Sequence, residues 1–137
     1  MANSTTQYNL PDGRRALDVT EAKVLTNAQC GIVQNIVVDA ITVTLPATVA
    51  GEVYIVRNGG DPAANTPDRS ASDGSCLVTV SPNSADLING LAFTAADDKD
   101  ALNTKATSKV GDEVTLVGNG TDGWNVGGAK GIWAREA

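Results

Sequence analysis

Short alternating runs of apolar and polar residues, broken at close intervals by turn residues, mark this chain. Ile41-Thr42-Val43-Thr44-Leu45 is the cleanest of them. Successive strand side chains point to opposite faces, so Ile41, Val43 and Leu45 face a core while Thr42 and Thr44 face out. Pro46 stops the run, because proline donates no ladder hydrogen bond. The same pattern predicts strands over 32–38, 52–57 and 76–80, and two short strands, 85–88 and 91–94, about Asn89-Gly90. Val114–Val117 and Trp124–Val126 flank the glycine-rich stretch 118–123, which contains the turn dipeptide Asn119-Gly120. That is a β-hairpin, with Val114 and Leu116 on one face and Thr115 and Val117 on the other. Ile132–Arg135 predicts a last edge strand, with Trp133 packed inward or on a neighbour.

The intervening segments read differently. Residues 16–25 hold one strand or a short irregular element. Thr26 caps a single helical turn that Gly31 ends. Asp61–Ser75 is a long aperiodic stretch, solvated or touching a partner. Asp97–Lys109 is a polar connection, with one loose helical turn over 100–106 as an alternative. Gly127–Gly131 reads as a flexible link. Residues 1–15 are polar and carry the turn Pro11-Asp12-Gly13. They read as an arm with little structure of its own, either frayed or ordering on a neighbouring subunit. Eight or so short strands and no helix-length amphipathic segment predict an all-β fold: one small antiparallel β-sandwich or jelly-roll-like domain over 16–137, with an extended N-terminal arm over 1–15.

Length and composition fit that picture. At 137 residues the chain is one domain on the length prior. Apolar residues make up 42% of it and aromatics only 4%, so Val, Ile, Leu and Ala must fill the core. A net charge of −6 without a basic stripe argues against nucleic acid and fits a soluble surface or docking onto a basic partner. No apolar run approaches the roughly 20 residues of a membrane helix. The start, Met1–Gln7, shows neither a basic segment nor an apolar one, so no signal peptide is expected.

Candidate chemistry is sparse. The chain has no histidine, which removes Ser-His and Cys-His activation and His-based metal sites. Cys30 and Cys76 read as two buried free thiols, with a single disulfide as the alternative. Asp97, Asp98 and Asp100, with Asp112 further on, are oxygen donors of the kind Ca²⁺ takes, but they lack EF-hand spacing and Lys99 interrupts them. A solvated charged loop is the simpler reading. No catalytic, cofactor or metal site is expected, and the chain is not expected to be an enzyme.

Several phrases together carry a resemblance. They are Ile41–Pro46, Tyr54-Ile55-Val56-Arg57-Asn58-Gly59-Gly60, Val78–Gly90, Asp112-Glu113-Val114-Thr115-Leu116-Val117-Gly118 and Gly123-Trp124-Asn125-Val126. Over roughly residues 20 to 135 the chain resembles small β-rich virion proteins of tailed bacteriophages, in particular capsid decoration (cement, or head-stabilising) proteins. Similar phrasing occurs in phage tail-fibre and tailspike domains. The resemblance implies a homotrimer seated on the exterior of a shell of major capsid protein, assembled in the host cytoplasm. The alternative is a tail-fibre or receptor-binding β domain that recognises host surface glycans. The residues expected at the interface are Tyr8, Leu10, Arg14 and Arg15 of the arm, and Ile132, Trp133 and Arg135 of the last segment.

Overall fold

The structure is a computed structural model that describes residues 3–61 and 76–137. It is an all-β sandwich of two packed sheets. One sheet has the order β1 (Tyr8–Asn9), β2 (Arg15–Val19), β4 (Val33–Ile36), β6 (Val53–Asn58), β10 (Glu113–Gly118), β11 (Gly123–Lys130), β8 (Leu87–Asn89). The other runs β12 (Ala134–Arg135), β9 (Ala101–Asn103), β7 (Val78–Ser81), β5 (Ile41–Thr44), β3 (Lys23–Val24). The expected alternation holds in β5 and β10, whose Ile41, Val43, Val114 and Leu116 are buried. Thr26 caps a 3₁₀ turn over Asn27–Gln29 in a capping box closed by Gln29.

Both sheets are mixed, where the sequence predicts antiparallel pairing. From β2 to β7 the chain crosses to the opposite sheet after every strand. Each strand therefore returns to its own sheet in the same direction as the last one. β2, β4 and β6 are parallel, with Val33 opposite both Ala16 and Ile55. β3, β5 and β7 are parallel in the second sheet. Antiparallel strands then close the coil: β10 pairs with β6 and β9 with β7. Inward side chains of both sheets form one buried cluster that includes Leu17, Ile36, Tyr54, Leu116 and Trp124 from the first and Ile41, Val43, Val78 and Val80 from the second.

Four expected elements differ. Residues 8–15 are not a free arm. Pro11-Asp12-Gly13 turns the chain so that β1 pairs with β2, Tyr8 opposite Ala16. Leu10 then seats on a small cluster of Ala16, Val33 and Ile55 on the outer face of the first sheet. Asn3 also ties down, its side-chain oxygen accepting the Thr20 and Glu21 N–H groups. The glycines after Val126 do not make a link: β11 runs to Lys130, with a bulge opposite Thr115 and Leu116. Of the two strands expected around Asn89-Gly90 only β8 forms, and it pairs in parallel with β11. That pairing needs Gly123, because a Cβ there would stand 2.0 Å from the Leu87 carbonyl oxygen. Residues 101–103 form strand β9 in place of a helical turn. The aperiodic stretch Asp61–Ser75, read as solvated or touching a partner, lies outside the described residues beyond Asp61.

Both cysteines are free, but only Cys76 is buried; Cys30 is exposed at the end of the 3₁₀ turn. Burial, with the nearby Asp61 and Asp39 charges, pushes the Cys76 thiol up to about 11. The thiolate is the reactive species. Iodoacetamide on the native protein should therefore modify Cys30 alone, with Cys76 reacting only in denaturant, as read by peptide mass spectrometry. Equal native labelling of both would contradict this burial.

Candidate interaction surface

On the outer face of the first sheet, one polar row crosses five strands. Asp18, Asn35, Arg57, Glu113 and Lys130 stand opposite one another on β2, β4, β6, β10 and β11. Their chain neighbours Val19, Ile36, Val56 and Val114 point into the core, which fixes the row outward. Directly opposed side chains of unlike charge support a sheet by about 0.2–1 kcal/mol each. The row is also wired laterally. Arg57 donates from Nη1 to Asn35 Oδ1 at 2.8 Å, and Asn35 Nδ2 donates to Asp18 Oδ1 at 3.1 Å.

The N-terminal hairpin closes over this row. The Tyr8 hydroxyl donates to Asp18 Oδ1 and accepts from Asn35 Nδ2. Burial, then the hydrogen bond to Asp18, raises the Tyr8 phenol above its usual value. Arg14 bridges Asp12 and Glu113 Oε2, at 2.8 Å to each. That double pairing holds the guanidinium as an ion. Glu113 Oε1 is buried and accepts no hydrogen bond among the described residues.

The expected interface residues fall into two groups. Tyr8, Leu10, Arg14 and Arg15 lie on the hairpin. Tyr8 is 38% exposed, and Arg15 donates to the Gln7 side chain. Leu10 is half-buried on its own domain. At the other end of the chain, Ile132 is 60% exposed. Arg135 reaches back to the Thr94 carbonyl at 2.9 Å. Trp133 is only 6% exposed; it belongs to the core, and its indole N–H donates to the Lys130 carbonyl. It faces inward, where packing on a neighbour was the other possibility. Ile132 with Leu91 and Ala92 leaves an open apolar hollow of about 310 Å³ over the Trp133 edge.

Sequence reasoning missed Arg57 and Lys130. Both line a second hollow, of about 290 Å³, together with Leu10, Pro11, Asp12, Arg14, Gly111 and Glu113. The signal available for Arg57 was its position at the outward end of an alternating strand. Lys130 gave none, since glycines surround it.

Asp112 sits far from any cation-binding role. It is buried, and its carboxylate accepts the Lys109 N–H and the Asn103 side-chain N–H. Among the described residues no group of three or more His, Cys, Asp or Glu side chains converges as metal ligands would. No family model, no curated protein and no solved structure matches this chain.

Proposed function

We propose that the chain is a structural virion protein that decorates and stabilises a tailed-bacteriophage capsid by binding its major capsid protein, as a homotrimer on the capsid exterior. The resemblance in strand and turn phrasing supplies the class. One structural observation supports the role: the N-terminal hairpin closes over the polar row on the outer face of the first sheet. There Arg14, Arg57, Glu113 and Lys130 stand beside the apolar Leu10 and Pro11. Such a surface suits rigid docking onto another protein, with polar and apolar contacts side by side. A protein that binds only the assembled shell stabilises it by mass action.

Capsids purified without the protein provide the test. Adding the protein at increasing concentration should raise the temperature at which particles disrupt, with saturation, and light scattering of the free protein should give the mass of a trimer. An unchanged disruption temperature with no sedimenting complex would sink the proposal. Selective retention on a glycan array would move the chain to the receptor-binding class instead.

A further inference from the structure

We infer that the hollow over Gly111 seats a single carboxylate side chain from an acidic segment of the partner protein. This deepens the docking role above and rests on it for the partner's being a protein. Gly111 has φ +98° and no Cβ; a Cβ built there would lie 3.6 Å from Lys130 Nζ and 3.9 Å from Arg57 Nη2. Two cationic heads therefore stand over one glycine. Asn35 holds Arg57 through Nη1 alone, which orients the planar group and leaves Nη2 uncommitted. Lys130 makes no ion pair or hydrogen bond through its ammonium among the described residues. Glu113 is opposite both in register, but Arg14 holds one of its oxygens and the other is shut away from solvent.

Arg57 and Lys130 are thus neighbouring cations, neither of which makes an ion pair among the described residues. The hollow's own charges are Arg14, Arg57 and Lys130 against Asp12 and Glu113, a surplus of one positive charge. That surplus matches one carboxylate and not a dianionic phosphate. A guanidinium edge beside an ammonium is a good carboxylate partner. Leu10 and Pro11 give an apolar wall for the methylene groups of a glutamate. The volume, about 290 Å³, suits a side chain.

The test uses the full-length ¹⁵N-labelled protein and a terminally blocked hexaglutamate peptide. Saturable shifts should appear at the Gly111 and Lys130 amides. The affinity should fall by about fivefold or more between about 50 mM and 300 mM salt, since exposed charges are screened over that range. The double variant Arg57→Gln/Lys130→Gln should lose the shifts while keeping the rest of its spectrum. Absence of saturable change at Gly111 overturns the inference. Inorganic phosphate binding there as tightly as the peptide overturns the carboxylate assignment. Capsid sedimentation separates the two proposals. If the double variant coats capsids as well as the unaltered protein, the hollow is not the docking seat. If the unaltered protein binds peptide but ignores capsids, decoration fails and the carboxylate site stands.

Discussion

Replacing Trp124 with alanine should cost about 3–5 kcal/mol, the range for truncating a fully buried aromatic. Trp124 has no solvent exposure, is the second residue of β11, and stands edge-on to Tyr54 with ring centroids 5.2 Å apart. Strands β10 and β8 flank it on both sides, so the cavity has little room to collapse. A domain stability of about 5–15 kcal/mol would lose a large share. The melting temperature should fall by about 10–20 °C, at about 4 °C per kcal/mol for a domain of this size. The conservative change should behave quite differently. The Trp124 indole N–H is buried and has no acceptor among the described residues. Trp124→Phe removes that orphan donor, whose burial costs about 1–3 kcal/mol, and so offsets part of the lost packing. Urea denaturation should place it within about 1–2 kcal/mol of the unaltered protein. If Trp124→Phe proved as damaging as Trp124→Ala, the orphan donor would have a partner after all.

Asn103→Leu should be nearly as severe, for a polar reason. Asn103 is fully buried and joins three elements. Its Oδ1 accepts from Asn58 Nδ2 at 2.8 Å, and its Nδ2 donates to Asp112 Oδ2 and to the Ile132 carbonyl, each at 3.1 Å. Asn58 in turn receives the Cys76 N–H and donates to the Cys76 carbonyl. Leucine has similar bulk but leaves two buried groups, on Asn58 and Asp112, and the part-buried Ile132 carbonyl without one of their partners. Each such loss costs about 1–3 kcal/mol, so about 3 kcal/mol or more is expected in total. A double-mutant cycle of Asn58→Ala with Asn103→Ala should give a coupling of about 1–3 kcal/mol. Additive effects would mean that the two amides act independently.

Legibility in the sequence followed the range of the interaction. The hairpin of β10 and β11 and the faces of β5 were readable because alternation and turn residues are local signals. Alternation tells which way a side chain points but not which strand lies beside it. Val33–Ile36 therefore gave no hint that it pairs in parallel between β2 and β6. The N-terminal hairpin was half-legible: Pro11-Asp12-Gly13 announced a turn, but the apolar seat for Leu10 is assembled from Ala16, Val33 and Ile55 on three different strands. Asn103 lay in a stretch that read as a polar connection and Asp112 was grouped with the acidic loop residues, while the pairing that buries Asn58 with Asn103 spans 45 positions. Ile132 lies on the surface and Trp133 faces inward, one of the two placements open to it from the sequence. Only one of two adjacent strand-like residues can face the core, and the final register decides which.

The alternating course from β2 to β7 would leave a coil whose growing rim is an open ladder. Such a rim is a template for another chain. Here that rim is covered: β10 and β9 run antiparallel against β6 and β7. The outermost strands are stunted. β1, β3 and β12 have two residues each and β8 has three. β3 adds Lys23 at its margin. Few backbone groups remain in line to recruit a neighbouring strand. The fold thereby resists runaway edge-to-edge aggregation, and association is left to side chains.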